Sequence, residues 1–339
     1  MSACDDIMGA IGKTPAVKLA RLFRDAPFAV YAKLEMLNPG GSVKDRPAID
    51  MLRAAQHEGK LREGSVVVES SSGNLAIGLA QACNLLGCRF VCVVDPRTTQ
   101  ANLRLLRAYG ARIDLVSRPD PATGEFVPAR LNRVRRWLCR LPDAFWPNQY
   151  ANPHNAAAHQ RTTMAELAAD VPAIDYLFLG VSTCGTLRGC IDYIREHGLA
   201  TRVIAVDAAG SVIFGRPNAG VKRHLPGIGA GIEPALKPAE GVHDVVTVGD
   251  RDSIRYCRLL ARRESIVAGG SSGGVVAAVA AYRERIAPGS VCAVLLPDRG
   301  ERYLDTIYDD GWVNATFGPA YLATLRSGST KGDNDPCDI

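Results

Sequence analysis

Residues 38–48 read NPGGSVKDRPA, a tight turn followed at once by a helix start. Asn, Pro and two glycines favour the turn, and Pro47 suits the first position of a helix that we expect to end near Gly59. Lys44 therefore lies between a glycine turn and a helix start, a setting in which burial and positive backbone dipoles lower the pKa of an amine. An amine of that kind can form a Schiff base, whereas most lysines are solvated surface residues.

Three further turns follow along the chain, each expected after a buried strand and before a helix. They read ESSSGNLAIG (69–78), GVSTCGTLRG (180–189) and AGGSSGGVV (268–276). The first offers amide N–H groups that can bind a carboxylate, or it is an ordinary helix cap. The second suits a phosphate, but it has neither the lysine of a nucleoside-triphosphate loop nor the pattern GxGxxG. The glycines of the third turn either form part of a binding site or only allow close helix packing.

Short runs of Val, Ile and Leu alternate with longer helical stretches. The predicted strands are 65–69, 88–95, 111–116, 175–181, 201–207 and 290–298. The predicted helices between and after them include 75–87, 99–110, a helix through Gly198, and 271–287. Continuous apolar strands separated by helices indicate parallel sheets covered on both faces, and two such series predict an α/β protein of two lobes. In such sheets ligands bind outside the carboxyl ends of the strands, where the three turns fall.

Composition excludes several classes of protein. The chain has 339 residues, 47% of them apolar and 22% charged, which is ordinary for a globular protein. We expect a cytoplasmic protein, because no run of 18 apolar residues and no secretory signal is visible. The ten cysteines are scattered without a CxxC pair, so reduced, mostly buried thiols are expected rather than metal ligands or disulfides. The net charge of +5 is spread along the chain and forms no basic stripe for nucleic acid.

One local cluster of arginines stands out, in the segment ARLNRVRRWLCR. Its members are Arg130, Arg133, Arg135, Arg136 and Arg140. For most of them we expect the solvated face of a helix. Arg130 and Arg133 are candidates for binding an anionic substrate, because arginine pairs with carboxylates and phosphates in bidentate fashion.

Taken together, these stretches resemble the fold-type II pyridoxal 5′-phosphate (PLP) enzymes, and within them the cysteine synthase and cystathionine β-synthase family. The likeness rests on NPGGSVKDRPA, SSSGN, the Ser/Thr/Gly loop, GGSSGG and LLPDRGERYLDT, and it runs from about Gly9 to about Tyr308. It implies a fold like that of the tryptophan synthase β subunit. It also implies a large PLP-binding domain (1–36 and 150–325), a small substrate-loop domain (37–149) and a disordered tail (326–339).

The resemblance assigns roles to individual residues. Lys44 would hold PLP, Asn74 would bind its 3′-oxygen, and Ser271 would face the pyridine nitrogen, with Ser272 as an open alternative. The PLP phosphate is assigned to Ser182, Thr183, Cys184, Gly185 and Thr186. The substrate α-carboxylate is assigned to Ser71, Ser72, Gly73 and Leu75. Tyr150 corresponds to an active-site aromatic that could bind a leaving group, or it is a packed tyrosine at a domain junction.

Two loops depart from the usual family pattern. Cysteine synthases commonly carry TSGNTG and GTGGT, whereas this chain has SSGNLA and STCGT. We regard Cys184 as filling a small-residue position and not as catalytic. The sequence looks most like the branch that joins O-phospho-L-serine to L-glutamate. That branch makes N-(2-amino-2-carboxyethyl)-L-glutamate, a precursor of 2,3-diaminopropionate for siderophores such as staphyloferrin B.

Two other functions stay open. A cysteine synthase would combine O-acetylserine or O-phosphoserine with sulfide, and an inactive homologue would only bind a partner. The intact set of Lys44, Asn74 and Ser271 argues against the inactive homologue. The resemblance therefore implies a PLP-dependent transferase that performs β-replacement on small amino-acid substrates, without a metal ion. A homodimer is expected by analogy alone.

Overall fold

Two β-sheets organise the described residues of the computed structural model, which are 3–124, 126–171, 173–214 and 221–327. Their strands are β1 (Ala16–Lys18), β2 (Ala29–Leu34), β3 (Val66–Ser70), β4 (Arg89–Val94), β5 (Arg112–Leu115), β6 (Tyr176–Gly180), β7 (Arg202–Ala208), β8 (Val242–Val248) and β9 (Val291–Leu296). The larger sheet has the order β1-β2-β9-β6-β7-β8, and the smaller has the order β3-β4-β5.

The strands pair in parallel, except at one edge of the larger sheet. Strand β1 runs antiparallel to β2, with Val17 opposite Ala32. The connection between these two strands carries no crossover helix, and antiparallel neighbours need none. The other pairs, from β2 with β9 to β7 with β8, and both pairs of the smaller sheet, are parallel. The prediction of two parallel-sheet lobes flanked by helices is confirmed, with an antiparallel edge strand added.

Helices cover both sheets. They are α1 (Asp45–His57), α2 (Asn74–Leu85), α3 (Gln100–Ala108), α4 (Phe126–Arg140), α5 (Pro153–Ala158), α6 (Ala165–Asp170), α7 (Gly185–Glu196), α8 (Asp250–Glu264), α9 (Gly270–Ala281), α10 (Asp310–Phe317) and α11 (Pro319–Arg326). A π-helical segment, His159–Met164, joins α5 to α6, so that 153–170 form one continuous helical run. Short 3₁₀ helices lie at Ile7–Ala10, Glu35–Leu37, Arg283–Arg285 and Gly300–Tyr303.

The start of α1 differs from its prediction. The helix begins at Asp45, so Pro47 is its third residue and not its first, and the helix ends at His57, two residues before Gly59. The Asp45 carboxylate accepts the Gly40 N–H at 2.5 Å, which ties the glycine turn to the first helical residue. Pro47 is tolerated there because N–H groups of a first helical turn have no partner within the helix.

The core consists of apolar layers on the two faces of each sheet. On the larger sheet, alternate residues of the central strands point to opposite sides, as a pleated strand requires. Phe178 and Val294 belong to the layer beneath α9, whereas Leu179 and Leu295 belong to the layer beneath α7. The smaller sheet packs against α1 and α2, where Ile77 is fully buried. These apolar layers fix the two sheets so that the carboxyl ends of β3, β6 and β9 point to the same region of the molecule.

Several sequence expectations can be compared with this fold. The two sheets draw on the segments that the predicted domains contain, while the domain limits themselves stay predictions. The predicted tail begins at Arg326, which still belongs to α11, and 328–339 lie outside the described residues. Of the nine cysteines described, Cys4 and Cys139 are exposed and the others are buried, and none of the nine forms a disulfide. Within the described ranges, no helix is both long enough and apolar enough to cross a bilayer.

Candidate active site

Lys44 lies at the junction that the sequence predicted, immediately before α1. The turn that carries it is fastened to the segment after β9, because the Val43 N–H donates to the Pro297 carbonyl at 2.8 Å. The half-buried Lys44 side chain lines a cavity between this turn and the end of β6. Burial lowers the pKa of the Lys44 ammonium, and the nearby carboxylates of Asp298 and Glu35 oppose that effect. The result is a lysine that releases its proton more readily than an exposed one.

The same cavity is lined by the whole predicted phosphate loop, Ser182, Thr183, Cys184, Gly185 and Thr186. The loop leads into α7, whose first-turn N–H groups have no partner within the helix and can bind an anion. Cys184 has a φ of 62°, a left-handed conformation that glycine adopts more easily. Burial raises the pKa of the Cys184 thiol to about 12, which keeps it protonated and supports a packing role.

Asn74 is the first residue of α2, and its side-chain amide is held by one hydrogen-bond acceptor and one donor. Its Nδ2 donates to the Asp298 carboxylate at 2.8 Å, and its Oδ1 accepts from the Arg302 guanidinium. Tyr303 donates to the same Asp298 oxygen at 2.6 Å. These contacts fix which end of the amide is which, and they leave the second Nδ2 hydrogen for another acceptor.

The predicted carboxylate turn, 71–75, lies where α2 begins. The Ser71 hydroxyl accepts the Ala76 N–H at 3.3 Å, and the Ser72 carbonyl accepts from Asn102 at 3.0 Å. Open space surrounds Gly73 on the side where a Cβ would project. Leu75 is buried in the apolar cluster of the smaller lobe, so only its backbone N–H can reach a substrate.

Both serines that compete for the pyridine nitrogen are buried in the first turn of α9. The Ser271 hydroxyl lies 3.5 Å from the position that a Cβ on Gly227 would occupy, and Gly227 lines the Lys44 cavity. The Ser272 hydroxyl is fully enclosed and has no hydrogen-bond partner among the described residues. This geometry favours Ser271, and its role remains a prediction.

Arg130 and Arg133, three residues apart on α4, lie in different surroundings. Arg130 is buried, and its Nε lies 3.4 Å from the Asp95 carboxylate just after β4. Its Nε and Nη1 nevertheless have no hydrogen-bond partner in the described part of the chain. Arg133 instead forms an ion pair with Asp114 of β5 at 2.9 Å. Arg130 is thus an enclosed cation beside Asp95, whereas Arg133 is half-exposed and paired with Asp114.

Tyr150 lies beside this arginine. Burial raises the pKa of the half-buried Tyr150 phenol, and the positive charges of Arg130 and Arg223 oppose the rise. Glu69, at the end of β3, holds the segment before Tyr150, because its carboxylate accepts from the Trp146 indole at 3.1 Å. The segment that leads to Tyr150 is thus fixed next to the carboxyl end of the smaller sheet, within electrostatic reach of two guanidinium groups.

The remaining arginines of α4 match their expectation. Arg135, Arg136 and Arg140 are exposed and form the solvated face of the helix. Most of the cluster therefore has no direct part in the site.

Sequence reasoning missed several residues that the structure adds. Asp298 and Arg302 lie in the quoted stretch LLPDRGERYLDT but received no role. Asn155 and His159 contact Thr183 and Thr186 from behind the phosphate loop. A signal for these two was present, because Asn, His and Thr recur every fourth residue in NAAAHQRTT and so lie on one helix face. Arg223 had no local signal at all.

The side chains around Lys44 fit PLP, a small aromatic aldehyde with a phosphate arm. They comprise a half-buried amine of lowered pKa, a loop of hydroxyl and N–H donors at a helix start, and the Ser271 hydroxyl near Gly227. Lys44 would hold the aldehyde carbon, and the loop from Ser182 to Thr186 would hold the phosphate. Asn74 presents an oriented amide that suits a ring oxygen.

Comparison with known proteins agrees with this donor set. Residues 7–298 match the family described as pyridoxal-phosphate dependent enzymes. A protein of Ralstonia nicotianae named N-(2-amino-2-carboxyethyl)-L-glutamate synthase is 46% identical over 97% of this chain and 95% of its own length. A protein of Cupriavidus metallidurans with the same name is 47% identical over 91% of each chain.

Solved structures extend the likeness to the whole fold. An O-acetylserine dependent cystathionine β-synthase from Helicobacter pylori superposes with a TM-score of 0.84 at 28% identity, covering 91% of this chain and all of that one. A variant of O-ureido-L-serine synthase with bound O-ureido-L-serine superposes with a TM-score of 0.85 at 32% identity, covering 97% of this chain and all of that one. The chain therefore belongs to the pyridoxal-phosphate dependent enzymes of fold type II.

Proposed function

We propose that this enzyme joins O-phospho-L-serine to L-glutamate, giving N-(2-amino-2-carboxyethyl)-L-glutamate and phosphate. The observation that carries the proposal is the agreement of two relatives, each at least 46% identical over more than nine-tenths of the chain, on that product. The site is consistent with it, since the residues around Lys44 fit PLP.

Each step of such a β-replacement has a group in this chain. When bound, PLP supplies an electron sink for the charge that develops on the substrate α-carbon. The backbone N–H groups of the turn 71–75, at the positive end of α2, bind the α-carboxylate. The Lys44 amine, once free, takes the α-proton and later returns it. Its lowered pKa helps, because the neutral amine is the form that accepts a proton.

Anion recognition distinguishes this reaction from ordinary cysteine synthesis. O-Phosphoserine brings a phosphate and glutamate brings two carboxylates, and a buried anion without a cationic or amide partner costs several kcal/mol. Arg130 is enclosed and has two nitrogens without hydrogen-bond acceptors among the described residues, and its charge and that of Arg223 both lower the pKa of the Tyr150 phenol against the effect of burial. We assign these groups to the anionic parts of the substrates. Arg133, paired with Asp114, is the weaker candidate.

A single assay tests the reaction. The purified protein is incubated with O-phosphoserine and either L-glutamate or sulfide, and the products are identified by mass. We expect the glutamate adduct together with stoichiometric phosphate. Cysteine made from sulfide much faster than the adduct from glutamate would replace this proposal with a cysteine synthase.

Three further attributes belong to the same proposal. The product would serve as a precursor of 2,3-diaminopropionate in siderophore biosynthesis, the enzyme would act in the cytoplasm, and it would be a homodimer. The homodimer is tested by sedimentation of the PLP-loaded protein, where a monomer at micromolar concentration would contradict it.

A further inference from the structure

A stripe of buried polar side chains lies behind the phosphate loop, on the helical run 153–170. Asn155, His159 and Thr163 are each separated by four residues, so they share one face, and each is at most 2% exposed. Nothing in the reaction proposed above uses them directly. Buried polar groups of this kind are mostly hydrogen-bonded, so their partners indicate their purpose, although the Asn155 Oδ1 has no partner among the described residues.

The stripe touches the start of α7 because glycines allow a close approach. A Cβ on Gly189 would come within 2.2 Å of the Ala156 carbonyl oxygen and 2.8 Å of the His159 Cβ. A Cβ on Gly185 would come within 2.2 Å of the Asn155 side-chain oxygen. Larger residues at these positions would push the two helices apart. The contact therefore places the stripe against the hydroxyl groups of the loop.

The hydrogen bonds form a chain that ends at the loop. The Nδ1 of His159 lies 2.9 Å from the Thr163 hydroxyl, and its Nε2 lies 3.2 Å from the Thr186 hydroxyl. Asn155 donates to the Gln149 carbonyl at 2.7 Å and to the Thr183 hydroxyl at 3.4 Å. Both threonines of the loop are thus contacted from the side that faces away from the cavity.

The protonation state of His159 decides the direction of this chain. Burial lowers the pKa of the imidazole well below its usual range, and the charges of Lys44 and Arg46 act in the same sense. A neutral imidazole has one donor and one acceptor nitrogen. If Nε2 carries the hydrogen, Thr186 accepts it and its own hydroxyl hydrogen points elsewhere. Nδ1 then accepts the Thr163 hydroxyl hydrogen.

We propose that His159 is a positioning residue, a neutral Nε2–H imidazole that turns the Thr186 hydroxyl hydrogen toward the cofactor phosphate, with Thr163 fixing the tautomer. The inference rests on the assignment of the loop from Ser182 to Thr186 to that phosphate. The imidazole does not supply a positive charge to the phosphate. It removes the rotational freedom of a hydroxyl, so that the donor is oriented before the phosphate arrives.

The tautomer is measured directly by ¹⁵N NMR of histidine-labelled, PLP-loaded enzyme between pH 6 and pH 9. We expect the His159 ring to stay neutral, with the hydrogen on Nε2, across this range. Thr163→Val should shift the tautomer balance toward Nδ1–H, because it removes the hydroxyl that lies 2.9 Å from Nδ1 and that donates to it in the proposed tautomer. A ring that is protonated at pH 6, or that carries its hydrogen on Nδ1 in the wild type, overturns the proposal.

Cofactor affinity gives a second readout that does not depend on turnover. His159→Leu preserves volume but leaves the Thr186 hydroxyl free to rotate, so the dissociation constant of PLP should rise about 3- to 10-fold, the cost of ordering one side chain on binding. His159→Gln, which can place an N–H near the Nε2 position, should restore binding to within about twofold of wild type. His243→Gln, at an exposed histidine, is the matched control.

The remaining outcomes distinguish the positioning role of His159 from the assignment of the phosphate loop. Equal PLP affinity of the wild-type, Leu and Gln proteins would exclude a positioning role for His159. Should His159→Leu fail to fold, Thr163→Val carries the test, and an unchanged tautomer together with unchanged PLP affinity in that variant would exclude the chain of hydrogen bonds. Normal PLP binding by Thr186→Val would instead show that the loop assignment is wrong. PLP affinity is measured without any amino acid, so the identity of the nucleophile does not enter.

Discussion

At the scale of single residues, the reactivity of Lys44 depends on how easily its ammonium group loses a proton. An exposed lysine is almost fully protonated at neutral pH and is a poor nucleophile. Around Lys44, burial lowers the pKa, and the opposing attraction of Asp298 keeps the change from being larger. Burial makes the Lys44 amine a better nucleophile, and the Asp298 carboxylate keeps its pKa high enough for the amine to accept a proton.

Lys44→Ala should abolish both turnover and the visible absorbance of the lysine-bound cofactor. The substitution removes the amine that holds PLP and the base that moves the α-proton. Absorbance spectra and phosphate release from O-phosphoserine measure the two losses. Lys18→Ala, at an exposed position on β1, is the control and should behave as wild type. Near-normal turnover by Lys44→Ala would contradict its assignment.

Arg130 and Arg133 provide a matched pair on one helix. Arg130 is enclosed beside Asp95, and its Nε and Nη1 have no hydrogen-bond partner in the described part of the chain, whereas Arg133 is half-exposed and paired with Asp114. We expect Arg130→Leu to raise the KM for O-phosphoserine or L-glutamate about 10- to 100-fold, as the loss of a charge-assisted hydrogen bond implies. Arg133→Leu should change either KM by no more than about threefold, because pairs this exposed contribute little. Unchanged constants for Arg130→Leu would show that it serves the fold.

At the scale of elements, the close contact of α7 with the helical run 153–170 holds the phosphate loop. Helix propensity alone favours alanine over glycine within a helix by about 1 kcal/mol. At Gly189 the surroundings reverse that preference, because an added Cβ meets backbone atoms that cannot move aside. Whether an alanine at position 189 stabilises or destabilises the protein therefore shows whether helix propensity or packing has the larger effect there.

Gly189→Ala should lower the free energy of unfolding by about 1–3 kcal/mol and weaken PLP binding, since it separates α7 from His159. Urea unfolding followed by circular dichroism measures the first effect. The control is Gly231→Ala, at an exposed glycine where the nearest atom to an added Cβ is 4.0 Å away. It should change stability by less than about 0.5 kcal/mol. A stabilised Gly189→Ala protein would mean that propensity outweighs this contact.

At the scale of the whole molecule, a buried ion network joins the two lobes. Arg46, on α1 of the smaller lobe, donates to Glu35 after β2 and to Glu166 on α6, each at 2.7 Å. Lys33 of β2 lies 3.0 Å from Glu166 as well. The two cations hold the pKa of Glu166 at about 2, although burial acts in the opposite direction. The network therefore depends on an ionised Glu166.

The stability that Glu166 contributes should be lost in acid. Its folded pKa lies below the ordinary value of 4.5, so the contribution is complete above pH 4.5 and disappears as the pH falls toward about 2. At pH 7 we expect wild type to exceed Glu166→Gln by about 3 kcal/mol in unfolding free energy. At pH 3 the difference should be markedly smaller. Glu240→Gln, at an exposed glutamate, is the control, and a pH-independent difference for Glu166→Gln would contradict the network's role.

The α/β alternation, the two parallel sheets and the turns that surround Lys44 were all predictable from sequence. Strands, turns and helix starts depend on neighbours a few residues away, so short stretches of sequence are enough to predict them. The strand predicted at 88–95 lies at Arg89–Val94, and Lys44 does precede a helix. Most helix ends shifted by one or two residues, because contacts such as Gly40 with Asp45 set them, while the helix predicted over 271–287 ends six residues early, at Ala281.

Tertiary structure decided which side chains meet. Arg130 and Arg133 are chemically identical and share a helix, but Asp95 and Asp114, from different strands, give them different surroundings. Leu75 is buried in a core cluster although its position suggested a substrate contact. Thr186 at His159, Asp298 at Asn74 and Asp298 at Lys44 likewise come from distant segments. Side-chain pairing and burial depend on atoms from distant parts of the chain that folding brings together, and local sequence patterns do not predict those distances.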